Sequence, residues 1–164
     1  MRAPTPSQTV GPFFGFALPF DNDANAVENG ANAVSVESHP IRVEGQVLDG
    51  IGEPVSDALI EASEGDQFAR CRTDSEGAFH FNLRRPVAGE GTPFFYVTVF
   101  ARGLLRHLHT RMYVPDVDGA TRVDRVLRQV DESRRQTLFA RQEGEILRFD
   151  IRLQGDGETV FFAL

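Results

Sequence analysis

The chain has 164 residues and a mass of 18.2 kDa, a length that fits one domain. Hydrophobic residues make up 41% of the chain and charged residues 25%, and no apolar run approaches the ~18 residues that a membrane-spanning helix needs. The net charge of −7 argues against a surface for nucleic acid, because phosphate binding needs a positive field.

The first predicted element is an apolar but irregular arm, residues 5–20 (TPSQTVGPFFGFALPF). Its prolines and glycines break it too often for a helix or a long strand. We expect Phe13, Phe14 and Phe16 to mark an interface, because an exposed apolar patch of that size normally does. The amino terminus lacks the apolar core of a secretory signal, which predicts a cytoplasmic protein.

Residues 21–40 are small, polar and acidic and are predicted to be a mobile connection. The chain is therefore predicted to divide into an arm with its connection, residues 1–40, and one folded domain, residues 41–164. From Ile41 onward the sequence alternates apolar and polar residues, as strands do. About eight short strands separated by turns predict an all-β fold, a β-sandwich.

The alternation of apolar and polar residues places the predicted strands as follows. IRVEGQVLD places Ile41, Val43, Gly45 and Val47 on one face. FARCRTD and AFHFNLRR are predicted to form a hairpin, with His80 facing away from its apolar neighbours. TPFFYVTVFARG is apolar enough for a strand buried on both faces, and LLRHLHTRMYV is predicted to pair with it across a turn at Arg102. The segments TLFARQ, ILRFDIRLQG and ETVFFAL alternate again, and only residues 121–130 have helical spacing.

Two of the four histidines lie two residues apart in RHLHTRMY. Side chains at i and i+2 of a strand share a face, so His107 and His109 could point at one metal ion. A metal ion needs three or four ligands, and neither His39 nor His80 is a persuasive third. The residues alone leave two alternatives open, a metal site or a pair of solvated or hydrogen-bonded histidines.

Arg102 and Cys71 are the other side chains of chemical interest. Arg102 ends an apolar strand just before Gly103, where a guanidinium either bonds carbonyl or carboxylate groups of the protein or binds an anionic ligand. Cys71 is the lone cysteine. It is interpreted as a small packing residue rather than a nucleophile.

TPSQTVGPFF near the amino terminus, together with FARG, HLHTRMY and RFDIRLQGDGETVFF in the second half, resembles the alpha subunits of the protocatechuate 3,4-dioxygenases. This is a family of intradiol ring-cleaving enzymes built from paired alpha and beta chains. The resemblance implies a β-sandwich of the intradiol-dioxygenase type with transthyretin-like topology, in a hetero-oligomer of alpha-beta pairs. It also implies that the holoenzyme inserts both atoms of O₂ into protocatechuate and yields 3-carboxy-cis,cis-muconate.

The resemblance further implies an Fe(III) ion held by two tyrosines and two histidines of the beta chain. Alignment on residues 101–103 (ARG) puts the two histidine positions on Phe94 and Tyr96 of this chain. One tyrosine position falls after ALIEAS, where this chain has only the short EGDQFARC. His107 and His109 match alpha-chain positions that are not iron ligands, so the resemblance implies that this chain holds no metal.

The resemblance also carries a substrate-facing role for the alpha chain. Its amino-terminal arm reaches the mouth of an active site formed with the beta chain, and an alpha-chain arginine faces the substrate. Carried over, these positions are Thr9, Gly11 and Pro12 of SQTVGP and Arg102 of FARG. A proline-fixed arm supplies an apolar wall at little ordering cost, and a guanidinium suits a catechol that bears a carboxylate.

Two other functions remain as alternatives from the residues. One is a stand-alone metal enzyme that uses His107 and His109 with Tyr96 or Tyr113. The other is a transthyretin-like binding module without an enzymatic partner, for which VEGQVLDGIGEPVSDALIEASEGD would serve as strand, turn and strand. Metal stoichiometry of the isolated chain distinguishes the first, and partner binding after loss of the arm distinguishes the second.

Overall fold

The computed structural model describes residues 3–11, 13–26, 40–86, 91–115 and 124–163. Most of these residues lie in strands or in the loops between them, and the prediction of an all-β sandwich is confirmed. Its elements in chain order are α1 (Phe14–Ala17), β1 (Pro40–Leu48), β2 (Leu59–Glu64), β3 (Gln67–Arg72), β4 (Ala78–Arg84), β5 (Phe94–Phe100), β6 (Leu108–Tyr113), β7 (Arg141–Glu143), β8 (Ile146–Arg148) and β9 (Ile151–Arg152), with 3₁₀ turns at Leu127–Gln129 and Glu132–Leu138.

The strands form two sheets. One has the order β4-β1-β8-β7, with β9 paired to β1, and the other has the order β3-β2-β5-β6. Their facing sides enclose one main apolar core, to which β1, β2, β4 and β5 each contribute side chains at every second position. A smaller cluster forms around Tyr113 and the 3₁₀ turns. None of the helical segments in the described part of the chain has the length and hydropathy of a membrane span.

The alternating pattern of β1 is explained by its packing. Val43 and Val47 are fully buried, and Gly45 lies between them on the same face. A β-carbon at Gly45 would overlap the carbonyl oxygen of Phe149 and the ring of Phe79. The glycine is therefore required by close packing, because the chain segment after β8 lies directly against the strand.

The structure corrects the predicted pairing of FARCRTD with AFHFNLRR. β3 pairs with β2, and β4 pairs with β1, so the turn at residues 74–77 carries the chain from one sheet to the other. Alternation sets which face of a strand is buried but does not choose its hydrogen-bonded neighbour. Phe79 and Phe81 do lie on the buried side of β4, and His80 is exposed as predicted.

Three other predictions differ from the structure. β5 is not buried on both faces, since the side chain of Tyr96 is 55% exposed. The predicted helix at 121–130 is a single 3₁₀ turn in its described part, and residues 121–123 lie outside the described residues. The arm, predicted to be too broken for a helix, contains the one-turn helix α1, which needs only four residues between its prolines.

The carboxyl-terminal third also holds less strand than its alternation suggests. TLFARQ begins in a 3₁₀ turn that Asp131 caps through its bond from the Ser133 backbone amide. In ETVFFAL, the described residues 158–163 form no strand but one isolated bridge, between Phe162 and His109. The division into residues 1–40 and 41–164 remains a prediction, because residues 27–39 lie outside the described residues.

Candidate functional site

The amino-terminal arm lies against the outer face of the sheet β3-β2-β5-β6. The ring of Phe14 packs on Phe100 of β5 with centroids 5.3 Å apart. The guanidinium of Arg72 on β3 stacks over the ring of Phe16 at 4.0 Å. Strands β3 and β5 flank β2, so these contacts lay the arm across the sheet and carry it toward the turn between β5 and β6.

Thr9 joins the arm to that turn. The backbone amide of Gly103 donates a hydrogen bond of 2.8 Å to the Thr9 hydroxyl oxygen. Gly103 has a φ of 90°, a left-handed conformation that favours glycine. The predicted pairing of β5 with β6 across this turn is confirmed. Two separately predicted site elements, the arm at Thr9 and the turn at Arg102, are therefore neighbours.

Arg102 projects from the turn and forms an ion pair with Asp57, in which its Nε faces the carboxylate oxygen Oδ2. The Arg102 side chain is 59% exposed and that of Asp57 is 23% exposed. Among the described residues, the Arg102 guanidinium makes no other hydrogen bond or ion pair. Its terminal nitrogens are thus available to a ligand.

Asp57 was missed by reasoning from sequence, although strand register offers a signal for it. Leu59 of β2 pairs with Phe100 of β5 in an antiparallel ladder. Asp57 lies two residues before Leu59, and Arg102 lies two residues after Phe100. Continuing the antiparallel register therefore places Asp57 and Arg102 opposite one another. The signal becomes readable only when the pairing of β2 with β5 is known.

The other predicted site residues are less well defined by this chain. Pro12 lies outside the described residues. Gly11 has no atom within 4 Å of where a β-carbon would stand, so nothing among the described residues requires a glycine there. Phe13 and Phe16 are exposed, by 79% and 67%, whereas Phe14 is half-buried against the sheet. The predicted roles of Gly11 and Pro12 remain predictions.

A small cleft lies between the arm and the turn. Its volume is about 170 Å³, below the roughly 300 Å³ at which ligand pockets begin. Its walls are mainly apolar, from Val10, Phe14, Phe100, Leu104 and Leu105. The cleft is smaller than an ordinary ligand pocket, which fits one wall of a site better than a whole site.

A second polar cluster lies at the other end of the same sheet. Tyr113 donates a hydrogen bond of 2.9 Å to Asp124 Oδ2, and Arg111 donates to both at 3.1 and 3.3 Å. The Arg111 guanidinium also stacks on the ring of Phe94 at 4.1 Å. Burial is the main reason that the pKa of Tyr113 is raised to about 12. The phenol stays protonated at neutral pH and fixes the loop that carries Asp124 to β6.

The histidine pair does not fit a metal centre with the residues around it. The rings of His107 and His109 meet edge to face with centroids 4.5 Å apart, and His109 Nδ1 lies 3.3 Å from the Thr98 hydroxyl. Tyr113 is four residues from His109 along β6, about 13 Å away, too far to share one ion. Within the described part of the chain, no three His, Cys, Asp or Glu residues are grouped so that they could hold a metal ion.

The positions that the family resemblance assigns to iron-binding histidines also carry unsuitable side chains. Phe94 has no donor atom, and Tyr96 projects from the exposed face of β5. The segment after β2, where a tyrosine ligand was expected to be missing, is a tight hairpin whose Gly65 has a φ of 56°. The described residues therefore do not fit an iron site.

Cys71 packs against the core, and burial raises the pKa of its thiol, as for a packing residue.

Two relatives share 34% identity with this chain, and each is called protocatechuate 3,4-dioxygenase alpha chain. The alignment with the Burkholderia cepacia protein covers 96% of this chain and 96% of that protein. The alignment with the Pseudomonas putida protein covers 96% of this chain and 95% of that protein. No family model matches the chain.

Solved structures share the fold at lower identity. The dioxygenase domain of a dioxygenase and carbohydrate-binding protein fusion from Streptomyces sp. SirexAA-E has a TM-score of 0.57 at 20% identity and covers 93% of this chain and 99% of its own. An intradiol ring-cleavage dioxygenase from Tetranychus urticae has a TM-score of 0.55 at 13% identity, with 95% of this chain and 96% of its own covered. The sandwich is thus of the intradiol-dioxygenase type, and by its near-complete match to the two relatives this chain belongs to the protocatechuate 3,4-dioxygenase alpha chain family.

Proposed function

We propose that this chain is the alpha subunit of a protocatechuate 3,4-dioxygenase and forms one wall of a substrate site that a beta subunit completes. The observation that carries the proposal is the hydrogen bond from the Gly103 amide to Thr9. In a chain of this family, that bond holds the arm beside Arg102, where both can face a ligand between the two subunits.

The chemistry of Arg102 suits the carboxylate of protocatechuate. A guanidinium is charged at every working pH, and its planar fork matches the two oxygens of a carboxylate. In this chain the group is more than half exposed and its terminal nitrogens are available. We assign Arg102 to binding and orienting the substrate, and we assign Thr9, Gly11 and Pro12 to the neighbouring wall.

The described residues of this chain do not fit an iron site, so we assign the Fe(III) of the family to the beta subunit. The ion supplies the activation of the catechol toward O₂ when it is bound there. Both oxygen atoms then enter the ring-cleavage product, 3-carboxy-cis,cis-muconate. The part of this chain is to bind the substrate carboxylate, to cover one side of the ring and to exclude water from that side.

The exposed aromatic rings of the arm support a partner at the same place. Phe13, Phe16 and Phe20 are each at least two-thirds exposed, which is unusual for large apolar side chains on one short segment. They lie on the arm that carries Thr9. A partner that covers them covers part of the arm that Thr9 joins to the turn of Arg102.

Mild purification of the complex from its native cells tests the proposal. We expect a larger partner chain in one-to-one ratio, one iron per pair, and iron that stays with the partner after the chains are separated. A chain that comes out alone with its own metal would overturn the assignment of the iron. A chain that comes out alone and metal-free would favour the binding module.

A further inference from the structure

We propose that Asp57 is a positioning residue for substrate binding, which holds the Arg102 guanidinium by its Nε edge so that the two terminal nitrogens point at the substrate carboxylate. The inference rests on the proposed function, and it adds a residue that neither the resemblance nor the sequence pattern indicated. It is carried by the ion pair between Arg102 Nε and Asp57 Oδ2.

The geometry of a guanidinium explains why this contact matters. The group has five N–H donors in a rigid plane, and a carboxylate can pair with its Nε edge or with its terminal edge. Asp57 occupies the Nε edge. The plane of the group is then fixed, and a second carboxylate finds only the terminal edge available.

Asp57 itself stands on a turn that is held rigidly. The hydroxyl of the buried Thr73 accepts a hydrogen bond of 3.0 Å from the Ala58 amide and donates one of 2.7 Å to the Val55 carbonyl. The Thr73 amide donates in turn to the Ala58 carbonyl at 2.9 Å. Residues on both sides of Asp57 are therefore fixed to Thr73, the residue that follows β3, and the Asp57 oxygen that meets Arg102 is buried.

The backbone around Arg102 is held by hydrogen bonds from the Gly103 amide to the Thr9 hydroxyl and from the Leu104 amide to the Ala101 carbonyl, but among the described residues only Asp57 pairs with the Arg102 guanidinium. Arg102 stands on an exposed turn next to a glycine with a φ of 90°, and an arginine side chain has several freely rotating bonds. Ordering a side chain of this kind on binding costs free energy. The carboxylate of Asp57 sets the orientation beforehand, so that less of this cost falls on the binding step.

The test compares variants in the enzyme assembled with its beta subunit. Asp57→Asn keeps the shape of the side chain and removes its charge. We expect kcat/KM for protocatechuate to fall about tenfold, mainly through a higher KM, the size of one charge-assisted hydrogen bond. Turnover of catechol, which lacks the carboxylate, is expected to stay unchanged. Asp57→Glu keeps the charge one methylene further out and is expected to give an intermediate KM.

The matched control is Asp66→Asn. Asp66 forms an ion pair of similar kind with Arg84 at the opposite end of β2, about 20 Å away along the six-residue strand. Asp66→Asn is expected to leave kcat/KM for protocatechuate and the turnover of catechol unchanged. In an Arg102→Ala background, Asp57→Asn is expected to have no further effect, because the two residues then act as one unit.

The possible outcomes distinguish the role of Asp57 from the role of Arg102. Unchanged kinetics of Asp57→Asn beside an impaired Arg102→Ala enzyme would overturn the role of Asp57 and leave the proposed function standing. Unchanged kinetics of Arg102→Ala would overturn the proposed role of Arg102. A lower KM in Asp57→Asn would mean that Asp57 competes with the substrate, which also overturns the inference. Should Asp57→Asn fail to assemble, Asp57→Glu decides, since a wild-type KM there contradicts positioning.

Discussion

Replacement of Arg102 by alanine in the assembled enzyme is expected to lower kcat/KM for protocatechuate about thirtyfold, a loss of about 2 kcal/mol. The magnitude depends on how far the partner covers the side chain. In this chain Arg102 is 59% exposed, and an ion pair at such a surface contributes only about 0–1 kcal/mol. A hydrogen bond to a charged group that is shielded from water contributes about 1.5–3 kcal/mol.

The assay is the initial rate of oxygen consumption with protocatechuate, compared with catechol as the substrate that lacks the carboxylate. Only kcat/KM for protocatechuate is expected to fall. Arg84→Ala is the matched control, since it removes an arginine from the surface pair with Asp66. Arg102→Lys is expected to recover part of the loss, because lysine keeps the charge but not the planar fork.

Two results would refute the reasoning. If kcat/KM for protocatechuate stays within about twofold of the wild-type value in a fully assembled enzyme, Arg102 does not bind the substrate carboxylate. If both substrates lose activity equally, the side chain acts on assembly or on the iron-bearing partner instead. A loss of only about fivefold, ~1 kcal/mol, would mean that the partner leaves Arg102 open to water.

Three further predictions concern the arm, the core and the second polar cluster. Thr9→Val should raise the exchange rate of the Gly103 amide about fivefold, because it removes one exposed hydrogen bond of ~1 kcal/mol; an unchanged rate would contradict the docked arm. Gly45→Ala should destabilise the fold by about 3 kcal/mol or more in thermal unfolding, since the added methyl group overlaps its neighbours; a wild-type melting temperature would contradict that packing. In a Tyr96→Phe variant, whose remaining tyrosine is Tyr113, the tyrosinate absorbance should rise near pH 12 and not near 10. Because this pKa is higher in the folded state, its contribution to stability is complete below pH 10 and is lost as the pH rises toward 12; a titration midpoint near 10 would show that the phenol is not buried.

Several features of the fold could be predicted from the sequence because they depend on neighbours along the chain. The period of two in β1 identified its buried face, including Gly45, whose place in the core the structure explains. The pairing of β5 with β6 was readable because the two strands follow one another directly and only residues 101–107 connect them. The resemblance of separated segments identified the family, and with it the arm and Arg102 as the candidate site.

Tertiary structure alone decided the contacts that build the site. Thr9 and Gly103 are 94 positions apart in the chain, and no periodicity links them. Asp57 meets Arg102 only because β2 pairs with β5 rather than with β1. Local patterns fix the face that a strand buries, whereas the choice of partner strand is settled by the packing of all strands together. For this reason the sequence located the guanidinium, and the fold supplied the carboxylate that holds it.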